Sequence, residues 1–72
     1  MAHKPKKRSL TITGHRTSIS LEDDFWDALK DIARAQGRSV PDAIAAIDAG
    51  RGSYGLSSAI RCAVLAFYRN KT

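Results

Sequence analysis

The chain predicts a mainly α-helical fold with a short β-ribbon, on three observations. Residues 16–21 alternate polar and apolar side chains, in the order Arg16-Thr17-Ser18-Ile19-Ser20-Leu21; three later stretches repeat apolar residues every three or four positions; and glycine or a capping residue bounds each of those stretches. A strand with one apolar face cannot stand alone in water, so residues 16–21 must pair before helices can cover them. At 72 residues the chain is one domain, small enough to need help from a metal, a disulfide or association. Cys62 has no partner cysteine, and His3, His15 and Cys62 form no zinc-binding spacing, so no metal or other cofactor is expected. Association as a homodimer is the remaining remedy.

The formal charge of +5 is concentrated at one end. Lys4, Lys6, Lys7 and Arg8 supply four of the twelve basic residues; set against seven acidic ones, residues 9–72 carry a net of only +1. Such a cluster contacts phosphates without reading sequence. With Pro5 and no apolar period, residues 1–7 read as a disordered basic arm ahead of a domain spanning 8–72. No apolar run reaches membrane-spanning length and no signal-peptide core follows the basic start, so a cytoplasmic protein without membrane contact is expected.

From Arg8 the chain becomes strand-like. Ser9-Leu10-Thr11-Ile12-Thr13 alternates, and across Gly14-His15 the apolar parity shifts from even to odd positions. A hairpin turning at Gly14-His15 explains the shift, with Ile12 opposite Thr17, Leu10 opposite Ile19 and every apolar group on one side. The polar side then shows Ser9, Thr11, Thr13, Arg16, Ser18 and Ser20. Alternatively, Gly14 marks a bulge in one long strand that pairs with another subunit.

A first helix follows, capped at Ser20 or Leu21, with Glu22, Asp23 and Asp24 at the positive end of its dipole. Phe25, Ala28, Leu29, Ile32 and Ala33 form its apolar stripe, and Gly37 ends it in the left-handed conformation. Ser39-Val40-Pro41-Asp42 starts a second helix, with serine as cap and an acid three residues on; Val40, Ala43, Ile44 and Ile47 face inward. Residues 51–55 form a glycine-rich loop without the lysine or the preceding strand of a phosphate cradle. Ser57 or Ser58 caps a third helix running to about Asn70, striped with Ala59, Ile60, Ala63, Val64, Phe67 and Tyr68. Cys62 beside this stripe reads as a small packed side chain, with no base placed to activate it.

The order of basic arm, alternating strand, amphipathic helix, Gly37-Arg38-Ser39-Val40 turn and serine-capped second helix resembles the ribbon-helix-helix family of DNA-binding dimers, which includes the Arc and methionine repressors. The likeness covers Arg16 to about Asp48 and is most specific at Gly37–Val40. With Lys7-Arg8-Ser9-Leu10 ahead and the third helix behind, the whole chain is similar to a small bacterial subfamily of that fold. The resemblance implies an intertwined homodimer whose two-stranded ribbon enters the major groove of double-stranded DNA. By position, Arg16, Ser18 and Ser20 would face the bases, Arg16 as a two-pronged donor to guanine. Arg38, Ser39 and Val40, at the start of the second helix, would hold a phosphate, assisted by Lys4, Lys6, Lys7 and Arg8. Thr17, Ile19, Leu21, Phe25, Leu29 and Ile44 would form the shared dimer core. This chain departs from the family at the phosphate site, where Pro41 offers no N–H and the Asp42 carboxylate competes for the helix end.

Two functions are compatible with these residues. One is a homodimeric DNA-binding transcriptional regulator, in effect a repressor. The other is a dimeric interaction module, antitoxin-like or adaptor-like, that binds another protein through the C-terminal helix. No catalytic site is expected, because no paired acid and base, nucleophile arrangement or metal cluster is visible.

Overall fold

A computed structural model describes residues 4–70. Its order is β1 (Lys6–Ile12), β2 (His15–Leu21), α1 (Asp23–Ala35), α2 (Val40–Ala49) and α3 (Leu56–Arg69). The two strands pair antiparallel within the chain, in the register Lys6↔Leu21, Arg8↔Ile19, Leu10↔Thr17 and Ile12↔His15. The hairpin reading therefore holds, and its turn moves. Thr13 (φ 52°) and Gly14 (φ 81°) are the two central residues, both left-handed, which is the type I′ geometry that matches strand twist. The expected Gly14-His15 turn thereby moves back by one residue, and the partners expected for Ile12 and Leu10, Thr17 and Ile19, are replaced by residues two positions earlier, His15 and Thr17. His15 is the first residue of β2.

Strand β1 begins at Lys6, so Lys6 and Lys7, expected in a disordered arm, are paired residues of the ribbon. Met1–His3, the rest of that arm apart from Lys4 and Pro5, lie outside the described residues.

The inner ribbon face rests on the helices, with β1 against α2, β2 against α3 and the helices touching pairwise. At the centre, Leu21, Leu29, Ile44 and Ile60 are fully buried, one from β2 and one from each helix. Ile12, Ile19, Ile32, Ala33, Ala43 and Val64 surround them. Each element thus closes part of one core. Of the residues expected in a dimer core, Ile19, Leu21, Leu29 and Ile44 are at most 2% exposed within the chain. Thr17 and Phe25 remain half-buried at the margin.

Local chemistry explains most boundaries. At the end of α1 the Arg38 N–H bonds the Ala33 carbonyl (3.0 Å) and the Gly37 N–H bonds that of Arg34 (3.1 Å), a Schellman closure that needs Gly37 at φ 68°. Helix α2 starts as expected, with the Ser39 hydroxyl accepting from the Asp42 N–H at 3.2 Å. Two caps differ from expectation. Glu22, not Ser20 or Leu21, precedes α1, because Leu21 is still a strand residue paired to Lys6 with its side chain in the core. Gly55 precedes α3, two or three residues earlier than the expected cap at Ser57 or Ser58. Tyr68, expected in the α3 stripe, is 43% exposed, and Cys62, expected to be packed, is exposed.

Candidate nucleic-acid interface

Alternation decides which side chains the ribbon presents. With Leu10, Ile12, Ile19 and Leu21 turned inward, Lys7, Ser9 and Thr11 of β1 and Arg16, Ser18 and Ser20 of β2 point outward, and all six are exposed. They sit in cross-strand pairs, Thr11 beside Arg16, Ser9 beside Ser18 and Lys7 beside Ser20. The face carries two cations, four hydroxyls and no carboxylate. Short hydroxyls donate or accept, and a guanidinium offers a planar fork of donors, so the surface suits an acceptor-rich, negatively charged partner. The structure brings Arg16, Ser18 and Ser20 onto this one face and adds Ser9, Thr11 and Lys7 to it.

The carboxylates nearest the ribbon are neutralised from within. Asp23 accepts from the Arg8 guanidinium at 2.6 Å and pairs with the Lys6 ammonium at 3.2 Å, and Glu22 accepts from Arg61 Nε at 3.0 Å. The Arg8 and Lys6 donors hold the Asp23 carboxyl below its usual range. A backbone donor and then Arg61 do the same for Glu22. Groups with depressed folded pKa values contribute stability that is complete above the unfolded carboxylate range and is lost as pH falls through the folded value. Thermal unfolding followed downward from neutrality should therefore show this contribution disappearing below about pH 4. Asp23→Asn should be less stable than wild type at pH 7 and lose less on acidification.

Arg8, expected beside the phosphate-contacting lysines, lies on the inner face opposite Ile19, four-fifths covered, with its guanidinium 4.8 Å from the Trp26 ring centroid and paired with Asp23. Its Nε is buried without a hydrogen-bond partner. Arg8 fastens β1 to α1. Lys6 keeps its ammonium largely in solvent despite the pair with Asp23, and Lys4 and Lys7 are exposed.

The start of α2 offers less than a regular helix end. Pro41 has no N–H, and that of Asp42 is taken by Ser39, which leaves Val40 as the first-turn donor without a partner among the described residues. Arg38 and Ser39 beside it are exposed.

Two ribbon-edge residues escaped the sequence reading. The Ser57 hydroxyl accepts from the Ser20 N–H at 3.1 Å, and Arg61 Nη2 donates to the Ser20 carbonyl at 3.2 Å. Arg61 also stands 5.9 Å from the Phe25 ring centroid. The available signal was their i, i+4 spacing, with Arg61 the one charge in an otherwise uncharged stretch from Leu56 to Tyr68. Among the described residues no group of His, Cys, Asp and Glu could hold a metal ion, and no helix is long and apolar enough to cross a membrane.

Compared with known families, residues 5–68 match the model of the ribbon-helix-helix domain. No curated protein and no solved structure matches the chain.

Proposed function

From the premise that this chain belongs to the ribbon-helix-helix family, whose domains are regulatory DNA-binding modules and not enzymes, we propose that it is a DNA-binding regulator that works as a homodimer and reads the major groove with its ribbon. The observation that carries the reading is the outer ribbon face: six exposed polar side chains, two of them cationic, with no carboxylate. In this reading the β2 strands of two copies form the central pair of a continuous sheet. Two strands about 5 Å apart fit a groove about 12 Å wide. Arg16, Ser18 and Ser20 then face base edges, while the flanking β1 strands carry Lys7 toward the phosphates, with Lys4 beyond. Lys6 contributes less, since Asp23 already neutralises it. Thr17, half-buried on β2, is the member of the expected dimer core suited to the join.

An electrophoretic shift titrated against salt tests the reading. DNA should be bound at low salt with a steep loss as salt rises, because displaced counterions drive phosphate contacts. Absence of any shift at low salt would exclude it. The start of α2 supplies a further expectation. Asp42→Ser should tighten DNA binding by removing a carboxylate near the Val40 N–H, and should also weaken the favourable acid–dipole contact by about 0.3–1 kcal/mol, so affinity and stability move in opposite directions.

A second reading, a protein partner held by α3, is favoured by three exposed apolar side chains, Tyr54 (65%), Leu65 (57%) and Tyr68 (43%). It predicts a salt-insensitive partner complex that Leu65→Ser disrupts.

A further inference from the structure

Antiparallel pairing with β1 leaves alternate residues of β2 with their N–H and C=O aimed at the opposite edge. The closing pair of the hairpin is Ile12–His15, so the residues facing outward along that edge are Arg16, Ser18 and Ser20. Ser20 is already occupied on both groups by Ser57 and Arg61, and Arg61 is itself anchored by Glu22. Arg16 and Ser18 carry the only other ladder groups along this edge, and no partner for them is seen among the described residues.

We propose that α3 sets the register in which two copies of the chain join. Resting on the homodimer reading above, the inference is that the capped Ser20 confines the intersubunit ladder to Arg16 and Ser18, and that the two-fold axis passes between Thr17 and the partner's Thr17.

The choice follows by elimination. Two-fold antiparallel pairing along this edge can centre on Arg16, on Thr17, or on residues from Ser18 onward. Centring on Arg16 sets two guanidiniums directly opposite each other, a destabilising like-charge pair. Centring on Ser18 puts Ser20 opposite the partner's Arg16, and centring further along also uses Ser20, so each of these must strip Ser57 and Arg61 from it. Centring on Thr17 keeps both and also avoids the arginine pair. In that register Arg16 exchanges both backbone bonds with the partner's Ser18, and Ser18 with the partner's Arg16. The two threonines meet as a close, non-hydrogen-bonded pair, a favourable cross-strand combination. The free edge of β1 is the poorer candidate, because Lys7 on it, with Lys4 and Lys6 close by, makes it a charged edge of the kind that resists pairing. On the outer face, this register sets each Arg16 beside a serine and brings the two arginines to diagonal positions across the axis.

Disulfide trapping tests the register in the full chain, with Cys62→Ala removing the exposed native thiol. Two single variants, Thr17→Cys and Ser18→Cys, are oxidised at a concentration at which sedimentation measures the oligomeric state. Cross-strand residues at a non-hydrogen-bonded site come close enough for a disulfide, so Thr17→Cys should give covalent dimer about tenfold faster than Ser18→Cys. Adding Ser57→Ala to each should raise the Ser18→Cys yield relative to Thr17→Cys, by loosening the hold on Ser20. A dimer by sedimentation that Ser18→Cys traps and Thr17→Cys does not would overturn the register and leave the homodimer reading intact. A dimer that neither variant traps would place the join elsewhere, with the same consequence for the register. A monomer by sedimentation would end both.

Discussion

Truncating the chain after Gly52 is expected to unfold it. The cut removes Ile60, buried completely, and Val64, only 6% exposed, each worth about 1.5–3 kcal/mol of burial. It also uncovers Leu21, Leu29 and Ile44, which share the centre of the core with Ile60. A domain of this size has total stability near the lower end of about 5–15 kcal/mol, so these losses consume most or all of it. The Ser20 backbone loses both of its edge partners as well. Circular dichroism of the truncated chain should show no cooperative melt, and Ile60→Ala in the full chain should retain the fold with about 2–5 kcal/mol less stability. A truncated chain that melted cooperatively at the wild-type temperature would mean that α3 is an appendage.

Arg16→Ala is expected to cost about 1–3 kcal/mol of DNA affinity on a preferred sequence and to flatten the preference among sequences. The residue is exposed on the outer face beside Thr11, and its removal touches no buried group, so thermal stability should be unchanged. Loss of a two-pronged base contact lowers specific binding and leaves the phosphate contribution in place. Replacing Lys4 and Lys7 by Ala should do the reverse: all sequences weaken together and the salt dependence becomes shallower. Competition binding against a randomised duplex pool separates the two effects. Equal weakening of every sequence by Arg16→Ala would make it a phosphate contact.

The parity of the apolar residues made the ribbon faces readable before any coordinates. Leu10 and Ile12 at even positions, and Ile19 and Leu21 at odd ones, require a turn between them and put Arg16, Ser18 and Ser20 outside. Parity does not distinguish pairings that differ by two residues, however, so it is equally compatible with a turn at Gly14-His15 and with the one at Thr13-Gly14. The fold takes positive φ at Thr13, and Lys6 pairs with Leu21 and Arg8 with Ile19. Arg8 shares the parity of Leu10 and Ile12, so its inward position was legible and was hidden by grouping it with the neighbouring lysines. Periodicity marks side chains such as Leu29 and Ile44 as buried without saying which chain buries them, and here β1 and α3 do so in cis. The contacts of Ser57 and Arg61 with Ser20 join residues 37 and 41 positions apart, beyond the reach of any local pattern.

The central claim is that the outer face of the ribbon is the surface that meets DNA. It is tested most directly by following the backbone amides of the labelled protein by nuclear magnetic resonance while duplex DNA is added at low salt. The account predicts shifts concentrated at Lys7, Ser9, Thr11, Arg16, Ser18 and Ser20, with a smaller set at Arg38–Val40. Shifts confined to Tyr54, Leu65 and Tyr68, or no shifts at all, would contradict it.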